Sequence, residues 1–172
     1  AATYLKVTPD LMTVSKTLGG GMPLAAVITN DEVEDVCHRR GFAFYTSHVS
    51  DPLPSAVGLA VLETIESEHL LQRSRDMGDY LAGGLRELQS RHEEIGDVRG
   101  MGLLRGIELV RDRETREPHH ELGARTTQRC LELGLSMNIR RRPERGSVWR
   151  IAPPLTVTKV DIDLAMTIFD QA

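Results

Sequence analysis

The chain has 172 residues, 40% of them hydrophobic and 27% charged, with a net charge of −4 and only 4% aromatic residues. That composition suits about one soluble domain with a real core, and the acidic balance argues against nucleic acid, whose phosphates need a basic face. Cys37 and Cys130 stand far apart without metal or CxxC spacing, and no apolar run reaches membrane-spanning length, so a reduced, cytoplasmic setting without membrane insertion is expected.

The chain opens on Ala1 rather than an initiator methionine, so it is expected to be a piece of something longer. Residues 11 to 15 read as a short buried strand. A glycine-rich turn through Gly19, Gly20 and Gly21 follows, then a second β-prone run from Leu24 to Thr29. Asn30 is positioned to cap a helix whose first turn carries Glu32 and Glu34, and Gly41 to end it. Phe42 to Tyr45 reads as a small aromatic strand leading into the polar loop Thr46 to Pro52.

From Pro54 to about Leu88, apolar residues recur at helical spacing, giving one long helix or two collinear ones with a break near Ser67 to His69. Paired strands are expected at Ile95 to Arg99 and Gly102 to Val110, followed by a charged loop from Asp112 to Leu122. A helix from Gly123 to Glu132 comes next. Leu135 to Ile139 and Ser147 to Ala152 read as strands flanking a solvated hairpin tip at Arg140, Arg141, Arg142 and Arg145, around Pro143 and Gly146. Thr158 caps a last helix, Val160 to Ala172.

Three places carry more chemistry than a core needs. Lys16 follows a strand and precedes the glycine turn, so it is either an ordinary solvated lysine or an amine positioned to act as a nucleophile. The glycines follow the Lys-Thr pair instead of preceding it, which excludes a P-loop. The loop Thr46 to Asp51 is either a hydroxyl-stabilised turn or a site for a phosphate or a hard cation. Arg150 interrupts an apolar strand; alternation puts it opposite Trp149 and Ile151, where it either reaches solvent or grips a carboxylate. His48, His69, His92, His119 and His120 show no metal-ligand spacing.

Four stretches taken together, Ser15 to Ala26, Phe44 to Pro54, Gly96 to Gly100 and Trp149 to Thr156, resemble the class III pyridoxal-phosphate-dependent aminotransferases. The resemblance runs from about Val7 to the end of the chain. It implies an α/β fold, the C-terminal part of a fold type I transferase, with residues 1–66 ending the large cofactor-binding domain and residues 67–172 forming a small C-terminal α+β domain. It implies that Lys16 holds pyridoxal 5'-phosphate as a Schiff base and shuttles protons. By the same resemblance Ser47, at a position where a member of the family carries threonine, is expected to bind the cofactor phosphate across a dimer interface, and Arg150 to bind the substrate carboxylate.

Ser47, Asp51 and the carbonyl of Val49 would hold a K+ or Na+ ion, with Tyr45 beside it. The implied activity is decarboxylating transamination of 2,2-dialkylglycines with a 2-oxo acid such as pyruvate, in a homodimer or dimer-based tetramer. A non-decarboxylating ω-aminotransferase of the 4-aminobutyrate type is the alternative, and a non-catalytic remnant or dimerisation module is the reading from another class. In the family the acidic partner of the pyridine nitrogen lies upstream of Ala1, so the 172 residues alone are expected to be inactive or nearly so.

Overall fold

A computed structural model describes residues 2–137, 139–141 and 147–172, which fall into two compact units, Ala1–Glu68 and His69–Ala172. Of the expected arginine tip, Arg142, Pro143, Arg145 and Gly146 lie outside the described residues.

The first unit begins with a short helix α1 (Ala2–Leu5) and an antiparallel pair, β1 (Leu11–Ser15) with β2 (Ala25–Thr29), in which Thr13 faces Val27. The pair is where the sequence predicts it, but β1 is not buried: Leu11 and Met12 are exposed. Helix α2 (Asp31–Arg39) starts as expected, the Asn30 side chain accepting the amide of Val33 at 3.0 Å. The aromatic stretch Phe42 to Tyr45 is not a strand. Its β propensity has no partner strand among the described residues, and Phe42, Phe44 and Tyr45 are exposed. Helix α3 (Pro52–Ser67) ends the unit, opened by a proline at its first position.

The expected helical run divides at Glu68 and His69, with His69 in the left-handed region at φ 52°, and resumes as α4 (Leu70–Arg91). Leu81, Leu85 and Leu88 form the buried stripe of α4. Each is worth about 1.5–3 kcal/mol of apolar burial. They pack on a four-stranded antiparallel sheet of β3 (Ile95–Met101), β4 (Leu104–Leu109), β5 (Ile139–Arg141) and β6 (Ser147–Ile151), in spatial order β3-β4-β6-β5. Helix α5 (His120–Glu132) and helix α6 (Lys159–Gln171) complete the layer around Ile107, Trp149, Ile162 and Phe169.

Two expectations shift here. The strand read from Leu135 to Ile139 is irregular over Leu135 to Met137 and regular only in β5. Helix α5 starts three residues earlier than Gly123, because the His119 ring accepts the amide of Leu122 at 3.3 Å and serves as its cap. The last helix is capped as expected: Thr158 and Asp161 each take the other's backbone amide.

Side chains of arginines knit this unit together over long sequence distances. Arg113 donates to the carbonyls of Gln89, His92 and Glu93, satisfying the free end of α4. Arg105 is buried on β4, in phase with Ile107 and Leu109, and donates to the carbonyls of Gly78 and Gly100 at 2.8 and 3.0 Å. Where the β3–β4 turn meets α4, a side chain at Gly78 would lie 2.2 Å from the backbone of Gly102, so only glycine allows that approach.

Candidate active site

Lys16 is set by its backbone before its side chain matters. Ser15 ends β1 fully extended, and Lys16 then turns to φ 59°, opening a single 3-10 turn, Lys16–Gly19. The left-handed region costs a residue with a Cβ about 1–2 kcal/mol, which the surrounding structure must supply. It is supplied by packing on α3. Gly58 has no side chain where Leu24 inserts, since a Cβ there would lie 2.5 Å from Leu24 Cδ2. Gly20, at φ 54°, closes the turn by donating to the Thr17 carbonyl and lies against Val57 and Val61. Lys16 itself is exposed, and among the described residues its ammonium has no ion-pair partner.

The loop from Thr46 to Asp51 is a tight, largely exposed turn held by local hydrogen bonds. The hydroxyl of Thr46 accepts the amide of His48 and its carbonyl accepts that of Val49. Ser50 sits at φ 59°. Asp51 begins α3, its carbonyl taking the amide and hydroxyl of Ser55. Val49 and Asp51 border a hollow of about 390 Å³ with Thr46, His48, Pro23 and Phe44. Ser47, from the same turn, is exposed and does not line it.

The Asp51 carboxylate is engaged by the His48 ring at 2.8 Å. Among the described residues no group of three or more histidine, cysteine, aspartate or glutamate side chains is arranged to hold a metal.

Arg150 belongs to the second unit. On β6 it stands opposite Gly106 of β4, with Val148 and Arg99 beside that glycine. The other face carries Trp149, buried edge-on against Phe169 with ring centroids 5.0 Å apart, its indole donating to Thr127 at 3.0 Å. Arg150 is exposed and borders a mostly apolar cleft of about 680 Å³ with Met137, Ile151, Pro153, Pro154 and Val157.

The glycine-flanked motif Gly96 to Gly100 serves the hairpin: Arg99 bridges Asp97 at 2.6 Å and Glu108 at 2.9 Å. Arg73, Arg105 and Arg113 carry structural roles that the sequence did not single out. Arg105 was detectable, being in phase with the inward residues of β4. Arg73 had no such signal, since its partners lie more than eighty residues away.

The whole sequence, residues 1–172, matches the family described as Aminotransferase class-III. It is 46% identical over 166 residues to an uncharacterized aminotransferase of Schizosaccharomyces pombe, covering 96% of this chain and 37% of the relative. It is 38% identical over 172 residues to a leucine/methionine racemase of Thermococcus litoralis, covering 100% and 38%. A transaminase structure from the marine bacterium Virgibacillus superposes with a TM-score of 0.90 at 28% identity, covering 99% of this chain and 40% of that one. An engineered thermostable ω-transaminase variant superposes with a TM-score of 0.82 at 28% identity, covering 98% of this chain and 38% of that one.

The fold is thus that of the fold type I pyridoxal-phosphate-dependent transferases. The chain belongs to the class III aminotransferases, and spans 37 to 38% of the length of the two curated relatives above. Membership implies pyridoxal phosphate, and the donor set here fits it: a primary amine on a braced turn and hydroxyls on a short polar loop. No helix among the described residues is long and apolar enough to cross a membrane.

Proposed function

We propose that this protein is a pyridoxal-phosphate-dependent aminotransferase moving an amino group from an amino acid to a 2-oxo acid, with Lys16 as its catalytic amine. The observation that carries this is the strained backbone of Lys16, held at φ 59° by a glycine turn packed on α3, within a chain matching the family along its length.

The cofactor, when bound, supplies an electron sink for the substrate α-carbon. Lys16 Nζ would hold the cofactor and would be the group that carries the substrate's proton. Arg150 grips the substrate carboxylate with its forked donors and so fixes the rotation about the α-carbon that decides which bond breaks. Ser47 donates to the cofactor phosphate, and Ser47, Asp51 and the Val49 carbonyl are the ligands for K+ or Na+, for which His48 must give up Asp51. Residues 1–66 complete the large domain and residues 67–172 form the small one, in a homodimer or a dimer-based tetramer.

The finer reading is 2,2-dialkylglycine decarboxylase activity with pyruvate as acceptor, supported by the four stretches quoted above. Similarity to an ω-transaminase structure supports a second reading, in which a proton leaves instead of carboxylate. Full-length protein given 2-aminoisobutyrate and pyruvate should release carbon dioxide and form alanine. Amino transfer from 4-aminobutyrate without carbon dioxide would select the second reading. Unchanged cofactor absorbance and turnover in Lys16→Ala would overturn both.

A further inference from the structure

The loop after β6 faces an accounting problem. Pro153 and Pro154 have no amide hydrogen, and the segment runs from the end of a strand to the Thr158 cap of α6 with one internal backbone bond, Val157 N to Pro154 O at 3.0 Å. Its carbonyls need donors from elsewhere. Arg73, in the first turn of α4, supplies them: Nε donates to the Leu155 carbonyl at 3.0 Å, and Nη2 to those of Thr156 and Val157 at 2.9 Å each. One planar guanidinium therefore fixes three successive peptide units, which a lysine's single ammonium cannot reproduce. The same loop, through Pro153, Pro154, Thr156 and Val157, forms one wall of the cleft that Arg150 borders.

We propose that Arg73 is a positioning residue for substrate binding, holding the Pro153 to Val157 loop so that the cleft beside Arg150 keeps the shape a carboxylate-bearing substrate needs. This rests on the assignment of Arg150 to the substrate carboxylate. Arg73 touches no substrate and moves no proton, so its loss acts on affinity.

The test uses the full-length holoenzyme with Arg73→Gln, Arg73→Lys and Arg150→Gln, comparing an amino acid donor with a primary amine lacking the carboxylate. A displaced wall costs between about tenfold and a hundredfold in KM for the amino acid, with kcat and the KM for the plain amine changed less than twofold. Arg73→Lys should fall between wild type and Arg73→Gln. If Arg73→Gln does not fold, Arg73→Lys decides, because it keeps the charge while losing the fork.

Equal losses on both donors, or no loss on either, overturn the proposal, and so does full recovery in Arg73→Lys. If the plain amine is not turned over, the rate of cofactor conversion by the amino acid at rising concentration gives its Kd directly, and an unchanged Kd in both Arg73 variants counts against the proposal. Arg150→Gln separates the two layers. If it shows no selective loss for the carboxylate donor, the assignment of Arg150 fails. If it does while Arg73→Gln does not, only the role of Arg73 fails.

Discussion

Helix α4 contains three glycines whose replacement by alanine should have different signs, although all share one helix. Gly83 has nothing within 4 Å of an added Cβ and is exposed. Alanine there gains the helix preference alone, about 0.5–1 kcal/mol. Gly84 meets only Met166, at 2.9 Å from Cγ, a flexible side chain that can swing aside, and should be close to neutral.

Gly78 is different: its added Cβ lies 2.2 Å from the carbonyl carbon and oxygen of Gly102, backbone atoms of a turn that itself needs φ 52°. Displacing them costs about 1–3 kcal/mol of overpacking, and stretching the Arg105 bond to the Gly78 carbonyl adds about 1.5–3 more. After the propensity gain, Gly78→Ala should destabilise by roughly 2–5 kcal/mol. Urea titrations followed by circular dichroism give the numbers, as midpoint changes at constant slope. A Gly78→Ala protein within 0.5 kcal/mol of wild type would refute the close-approach argument, and so would Gly83→Ala being the worse of the two.

Thr158→Ala removes half of the α6 capping box and should cost about 1 kcal/mol, with Thr158→Ser retaining most of it, measured in the same titrations. The Asp170 carboxyl is held below its ordinary value, first by the hydrogen bond to His92 and then by Arg91. A carboxylate depressed in the folded state contributes stability above its unfolded pKa and loses it as pH falls through the folded one. The stability gap between wild type and Asp170→Asn should therefore be flat near neutrality and close in acid. A gap that widens below the ordinary carboxylate range would contradict this. On the role proposed for Ser47, Ser47→Ala should weaken cofactor binding about tenfold or more, with Ser47→Thr restoring it, measured by equilibrium dialysis of the full-length protein; unchanged binding in Ser47→Ala would remove Ser47 from the phosphate site.

Local rules served wherever the chain solves its problem with its neighbours. The Asn30 cap and the Thr158 box need only residues a few positions apart, and each appears where the spacing puts it, whereas the β3–β4 hairpin turns at Gly102 and Leu103, two residues later than expected. The break at His69 was visible as a gap in the apolar period. Phe42 to Tyr45 failed because β propensity is a statement about having a partner strand, which a sequence window does not contain. Leu135 to Met137 failed similarly: the apolar run is used to line the cleft beside Arg150 and leaves the ladder to β5.

At the candidate site, the lysine and its glycine turn were legible as a pattern, while the left-handed backbone at Lys16 was not. The hydrogen bond from His48 to Asp51 was also hidden, because three-residue spacing of a histidine and an aspartate has many outcomes in a loop. Arg73 and Arg113 act on carbonyls, and a carbonyl leaves no mark on residue identity.

Trp149 is the chain's single tryptophan, and it is sealed in the second unit between Phe169 and Thr127. Its emission is consequently a reporter for the packing of residues 69–172, whose side chains surround it. A red shift that lags or precedes the loss of ellipticity on heating would reveal whether the two units melt as one cooperative body or in succession, with no label added.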